Sequence, residues 1–310
     1  MRLAVMGSGG VGGYFGARLA ESGQEVTFIA RGEHLAAMRR EGLKLKSIDG
    51  NVTITSARAT DDPAEIGEVD AVIVAVKAWQ VATAAEAIRP MVGPNTLVLP
   101  LQNGVEAADQ LAAALGEDRV LDGLCGILAW REGPGVIRHA GVSPFIRLGT
   151  RLPSQAAGAE TLRATLDRAT GISAEIPDDI EAAVWSKFLF ICAMSGIGAL
   201  TRAPIGITRT LPETRELTRQ ILDEIDAVAR ARSVALPDDA VDRALGFIDS
   251  LPEGSTASMQ RDIMAGRPSE LDSQNGAVVR LGRAAGVPTP INAMIHAALL
   301  PQENAARRQG

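Results

Sequence analysis

Leu3-Ala4-Val5-Met6-Gly7-Ser8-Gly9-Gly10-Val11-Gly12 is the stretch that decides the fold. The first four residues form an apolar run that reads as a short buried strand. Residues 7–12 then match G-x-G-x-x-G, and a helical spacing of Tyr14, Phe15, Ala17 and Leu19 follows, stopping at Gly23. The glycine pattern alone is weak; a strand before it and a helix after it make it a dinucleotide-binding turn. Gly7 allows the tight turn, Gly9 lets the backbone approach a pyrophosphate, and Gly12 lets the helix pack close to the strand. The helix N-terminus offers unpaired N–H groups and partial positive charge to the phosphates. Gly7, Ser8, Gly9, Gly10, Val11 and Gly12 are therefore candidate cofactor-binding residues.

Outward from this turn, strands alternate with helices. Residues 26–30 are rich in β-formers, and residues 42–55 read as a hairpin turning at Asp49-Gly50. Residues 71–76 are continuously apolar, as expected of a parallel strand covered on both faces. Further strands are expected at 96–101, 120–127, near Val136 and Phe145, and at 172–176, with helices at about 79–90, 105–115 and 160–170. The alternation predicts a doubly wound parallel sheet. Pro177-Asp178-Asp179 breaks the rhythm. Beyond it only helical spacing is found, at about 180–198, 213–232, 238–248, 271–285 and 291–299, and residues 302–310 read as a frayed polar tail. The fold class is α/β, an N-terminal Rossmann domain (residues 1–177) followed by an all-helical domain (residues 178–310).

Bulk properties narrow the function. A chain of 310 residues is long enough for two cored domains. Its net charge of -6, without a basic stripe or polybasic run, argues against nucleic acid and anionic membranes as partners. Cys125 and Cys192 sit in apolar runs without C-x-x-C spacing, so buried thiols in a reducing cytoplasm are expected, with no metal site. Met1-Arg2 leads directly into the first strand, with no signal-peptide pattern, and the apolar run 188–200 reads as a buried helix. His34, His139 and His296 read as structural or surface residues.

The end of the second strand selects the cofactor. An NAD site usually presents Asp or Glu there to hold the ribose 2′-hydroxyl. Here the strand ends Ile29-Ala30-Arg31, and Arg31 has the donor geometry for a 2′-phosphate. Lys77, after the apolar run 71–76, offers a second charge. The expected cofactor is NADP.

The chain also resembles the ketopantoate reductases (2-dehydropantoate 2-reductases). The resemblance rests on residues 7–12, Val76-Lys77-Ala78-Trp79-Gln80, Leu101-Gln102-Asn103-Gly104-Val105-Glu106, Trp185-Ser186-Lys187-Phe188 and Ser269-Glu270-Leu271-Asp272. It implies a Rossmann domain joined to a helical domain with the active site between them, and hydride transfer from NADPH to the ketone of a 2-oxo acid. The first candidate reaction is 2-dehydropantoate to pantoate, in pantothenate biosynthesis. Lys187 matches the family's catalytic lysine, Asn103 and Glu270 match positions lining the substrate site, and Ser258 matches a substrate-contacting serine. Arg31 and Lys77 match positions that hold the 2′-phosphate, and Asn103 is also carried as a cofactor contact. Elementary chemistry agrees: an ammonium beside a ketone can stabilise and protonate the oxygen that hydride arrival makes negative. Glu270, at Pro268-Ser269-Glu270, reads as the start of a helix.

Ile191 and Ser195 depart from the family, which usually carries asparagine one and two turns after the lysine. Both remain candidate substrate-binding positions, in a more apolar pocket. Two enzyme alternatives follow, a family reductase for a more apolar 2-oxo acid and a β-hydroxyacid or opine-type dehydrogenase. A redox sensor that binds NADP is a third, non-enzymatic one. The expected partner is a small-molecule 2-oxo acid, with a homodimer left open.

Overall fold

The computed structural model of the protein describes residues 1–309. They divide into two compact units, residues 1–102 with 107–180, and residues 103–106 with 181–309.

The strands of the first unit, in chain order, are β1 (Arg2–Met6), β2 (Glu25–Ile29), β3 (Leu43–Lys46), β4 (Val52–Ile54), β5 (Arg58–Thr60), β6 (Ala71–Val74), β7 (Leu97–Pro100), β8 (Asp122–Gly126), β9 (Ala129–Gly133), β10 (Val136–His139), β11 (Phe145–Gly149) and β12 (Ser173–Glu175). Its helices are α1 (Gly10–Glu21), α2 (Gly32–Glu41), α3 (Val81–Ile88), α4 (Ala107–Leu115) and α5 (Ala156–Asp167). A five-stranded sheet of order β5-β2-β1-β6-β7 is parallel throughout. Its central strands are apolar on both sides because both faces are covered. In β1, Leu3 and Val5 enter one core cluster while Ala4 and Met6 enter the opposite one; in β6, Ala71 and Ile73 divide from Val72 and Val74 in the same way. Each larger side chain so buried contributes about 1.5–3 kcal/mol.

The single doubly wound sheet expected from the sequence is only part of the unit. The remaining strands build two smaller sheets, β4-β3-β10-β9 and β12-β11-β8, with antiparallel pairing of β10 to β9 and of β11 to β8. The hairpin expected over 42–55 forms, with Leu45 opposite Val52. Its loop is longer than a two-residue turn: the Gly50 N–H closes onto the Ser47 carbonyl at 3.2 Å.

The second unit is helical: α6 (Ile180–Thr201), α7 (Ile205–Thr208), α8 (Pro212–Ala231), α9 (Ala240–Ser250), α10 (Ser258–Met264), α11 (Asn275–Ala285) and α12 (Pro290–Gln309). Its core gathers Phe188, Leu189, Ile197, Ile221, Ile225 and Ile295 with their neighbours. At 22 residues α6 is longer than its apolar run suggested, and long and apolar enough to cross a membrane. However, 61% of its most apolar window is buried inside the protein, as befits a core helix apolar all round. Both cysteines are buried and free.

The tail is not frayed. α12 continues to Gln309, and only Gly310 of the expected tail lies outside the described residues. The Glu303 carboxylate is fully buried, accepts the Ser269 N–H at 3.0 and 3.1 Å and the Ser269 hydroxyl, and pairs with Arg307 Nε at 2.7 Å. A buried carboxylate so satisfied holds the last turns of α12 in place.

Candidate active site

In the first unit, β1 delivers the chain to Gly7 at φ +97°, backbone that side chains rarely adopt. α1 starts at Gly10, inside the motif. A Cβ on Gly12 would strike the Gly7 carbonyl oxygen and lie 2.8 Å from Val5 Cγ1, so the close packing expected of that glycine is present. At Gly9 a Cβ would meet nothing within 4 Å, leaving open space beside the helix N-terminus.

Ser8 ties the turn to the neighbouring strand. Its N–H and its hydroxyl both reach the Ile29 carbonyl, at 3.3 and 3.0 Å. Both of its donors thus reach the end of β2. The Ser8 carbonyl meets His34 Nε2 at 2.8 Å, while the Gly135 N–H donates to His34 Nδ1 at 2.9 Å. With Nδ1 accepting, Nε2 carries the proton and donates to Ser8. Burial holds the His34 pKa below the ordinary histidine value, against the opposing pull of the Ser8 hydrogen bond. His34 therefore ties the glycine-rich turn to α2 and to the loop before β10. Nothing in its sequence spacing signals that role.

Arg31 is the N-cap residue of α2. Its side chain is exposed and has no hydrogen-bond or ion-pair partner among the described residues. The strand before it, β2, ends without an acidic residue, so a guanidinium stands at that place. Lys77 is half-buried beside its own Trp79, with Nζ 5.8 Å from the ring centroid. Gln102 Nε2 donates to the Val74 and Val76 carbonyls at 2.9 and 3.0 Å, pinning the chain as it leaves β7.

In the second unit three of the expected residues converge. Lys187 lies on α6 between buried Trp185 and Phe188, whose rings meet edge-to-face at 5.6 Å. Lys187 Nζ donates to Asn103 Oδ1 at 3.0 Å, and Asn103 Nδ2 points to Glu270 Oε2 at 3.5 Å. One amide thus bridges an ammonium and a buried carboxylate across 84 and 167 residues of chain. The amide is held by its own segment. Gly104 takes φ +113° with Ser273 O beside it, and Glu106 pairs with Arg280 at 2.7 Å.

Glu270 does not begin a helix. It opens a turn, and α11 starts only at Asn275. The Ser269 hydroxyl accepts the Leu271 N–H at 3.3 Å and bonds to Glu303, so α12 fixes the residue just before Glu270.

The other candidates differ in burial. Ser258 is half-buried at the start of α10. Ile191, one turn beyond Lys187, is half-buried. Ser195 is fully buried, and its Oγ has no protein partner. Gln274, with both side-chain polar atoms unpartnered, and Asn275, with Oδ1 unpartnered, are likewise fully buried; sequence reasoning passed over both. Unmatched buried polar atoms are rare in native interiors and carry a desolvation cost, which marks this polar seam as unusual. His296, read as structural or surface, has an acidic partner after all: its Nε2 lies 2.8 Å from Asp272 Oδ1.

Comparisons with known proteins bear on what this arrangement belongs to. Residues 3–152 match the family described as ketopantoate reductase PanE/ApbA, and residues 179–303 match ketopantoate reductase PanE/ApbA C terminal. An uncharacterized oxidoreductase of Bacillus subtilis (strain 168), YkpB, is 30% identical over 96% of this chain and 98% of its own. The 2-dehydropantoate 2-reductase of Mesorhizobium japonicum is 31% identical over 94% of each chain. Among solved structures, a PanE/ApbA family ketopantoate reductase from Ralstonia eutropha JMP134 superposes with a TM-score of 0.90 at 33% identity, covering 99% of this chain and 100% of that one. The shared fold, a Rossmann-type unit and a helical one, and the matches along both units lead to one conclusion: the chain belongs to the ketopantoate reductase family of NAD(P)-dependent oxidoreductases.

Proposed function

We propose that the chain is an NADPH-dependent reductase of a 2-oxo acid, with 2-dehydropantoate as the first candidate substrate. The observation that carries the reading is the Lys187 ammonium donating to Asn103 Oδ1 at 3.0 Å, with the Glu270 carboxylate 3.5 Å from the same amide. Residues 1–177 form the nucleotide-binding part; residues 178–310, joined by the segment 103–106, form the catalytic part. The glycine-rich turn receives the pyrophosphate at the N-terminus of α1, through Gly9, Gly10, Val11 and Gly12, while Ser8 holds the turn to β2. Arg31 takes the 2′-phosphate, with Lys77 as the second cation.

When bound, NADPH supplies a hydride to the substrate's carbonyl carbon. The Lys187 ammonium donates a hydrogen bond to the carbonyl oxygen and gives it a proton as the C=O π bond becomes a C–O single bond. Asn103 accepts from the same ammonium and so orients it, while Glu270 stands on the other side of the amide. The product is the 2-hydroxy acid. Half-buried Ile191 favours a second reading, a family reductase whose 2-oxo acid carries an aliphatic side chain. Two buried free thiols support a cytoplasmic setting.

The test of the cofactor assignment is equilibrium binding. Arg31→Ala should weaken NADPH by roughly ten- to a hundredfold and leave NADH nearly unchanged. Equal loss for both removes Arg31 from the 2′-phosphate.

A further inference from the structure

The edge strand β9 runs beside the N-terminal end of α1. A Cβ on Gly10 would strike the Ala129 carbonyl oxygen and lie 2.8 Å from Trp130 Cα, so the first residue of α1 rests on β9 backbone. The register of β9 on β10 decides which side chains face that helix. Ile137 opposes Arg131, and His139 opposes Ala129. Ile137 packs onto α1, with its Cγ1 2.7 Å from the Cβ position of Gly13, and the His139 ring lies 4.7 Å from that of Tyr14 on the same helix. Directly opposed residues of an antiparallel pair share a face of the sheet. Arg131 is therefore on the α1 side, on the outer strand.

Arg131 is exposed, with no hydrogen-bond or ion-pair partner among the described residues. The neighbouring carboxylate, Glu132, is taken by Lys46 and Arg138. The charge of Arg131 acts on His34, the residue that holds the Ser8 carbonyl in the glycine-rich turn, and Arg31 lies three residues before His34. An unpaired guanidinium beside a helix N-terminus is positive charge next to positive potential, and an anion relieves both.

We propose that Arg131 is a phosphate-binding residue of the dinucleotide site, a second guanidinium that works with Arg31 beside the glycine-rich turn. This rests on the reading of residues 7–12 and Arg31 as the nucleotide site, and adds to it a residue from a different sheet. Arg131 sets cofactor affinity and takes no part in proton transfer.

The experiment is calorimetric titration of the purified protein and its variants with NADPH and NADH. Arg131→Ala should raise the NADPH dissociation constant about five- to fiftyfold, and Arg131→Lys should recover part of the loss. The melting temperature of the nucleotide-free protein should move little, since the side chain is exposed and makes no hydrogen bond or ion pair among the described residues. Loss confined to NADPH assigns Arg131 to the 2′-phosphate; equal loss with both assigns it to the pyrophosphate. Unchanged affinity for both overturns the proposal. If Arg31→Ala then weakens NADPH selectively, the cofactor reading stands and only the role of Arg131 falls. If the unaltered protein binds neither nucleotide, the cofactor reading itself fails.

Discussion

Removing Asn103 tests whether the amide acts through Lys187 or independently of it. Asn103→Ala deletes the acceptor of the Lys187 ammonium at 3.0 Å. The contact to Glu270 is long, at 3.5 Å, and contributes little by comparison. A hydrogen bond to a charged group is worth about 1.5–3 kcal/mol, so kcat should fall roughly ten- to 150-fold if the ammonium is no longer aimed. Lys187→Ala removes the proton donor itself and should cost about 10²- to 10⁴-fold. The double variant decides the matter. An orienting residue has nothing left to orient once the lysine is gone, so the double variant should be about as slow as Lys187→Ala alone. Steady-state NADPH oxidation with the best 2-oxo acid measures all three, and nucleotide titration checks that each variant still binds its cofactor. Losses that multiply in the double variant refute the orienting role.

Three further expectations follow from the structure. Ile191→Asn should shift kcat/KM toward 2-dehydropantoate by about tenfold or more over straight aliphatic 2-oxo acids, because an isoleucine cannot meet a substrate hydroxyl; a wild-type preference for 2-dehydropantoate that the substitution only damages would show that another residue makes the contact. Glu303→Ala should lower stability by about 2–4 kcal/mol in urea unfolding, since it leaves the buried Ser269 N–H and Arg307 without their carboxylate, and should also reduce kcat by loosening the turn that carries Glu270; a change under about 0.5 kcal/mol contradicts the anchoring role. His34 has a depressed folded pKa, so the unfolded chain takes up its proton first as pH falls: its contribution is present above about pH 6.5 and declines below that value, and His34→Asn should flatten the melting-temperature profile there, whereas an unchanged slope excludes His34 as the titrating group.

The legible parts of the fold were those where local pattern and tertiary role coincide. β1, the glycine-rich turn and α1 were readable because hydrophobic period changes from that of a buried strand to that of a helix within ten residues. β6 was readable because burial on both faces demands an unbroken apolar run. β9, Ala129-Trp130-Arg131-Glu132-Gly133, was missed because an edge strand with exposed side chains needs no apolar face. α7 and α10, at 4 and 7 residues, are too short to show a period.

The site was legible only in part, for related reasons. The Pro268-Ser269-Glu270 start signal misled because Ser269 uses its hydroxyl on Glu303 and on the turn, and α11 proper starts only at Asn275. The C-terminal stretch misled because its polar composition hides one buried carboxylate. Only the family resemblance joins Lys187, Asn103 and Glu270 at the level of sequence, since contacts over such separations leave no local trace. The role of His34 is not legible beyond a structural or surface reading because its partners are backbone groups, which sequence does not distinguish.

The central claim is that this chain reduces a 2-oxo acid with NADPH by means of Lys187. The most direct measurement is NADPH consumption by the purified protein against 2-dehydropantoate and a panel of aliphatic and aromatic 2-oxo acids, with the product identified. The account predicts one 2-hydroxy acid formed per NADPH consumed with at least one of them, and turnover that nearly vanishes in Lys187→Ala while NADPH still binds. Binding of NADPH without turnover of any 2-oxo acid, or full turnover in Lys187→Ala, would contradict it.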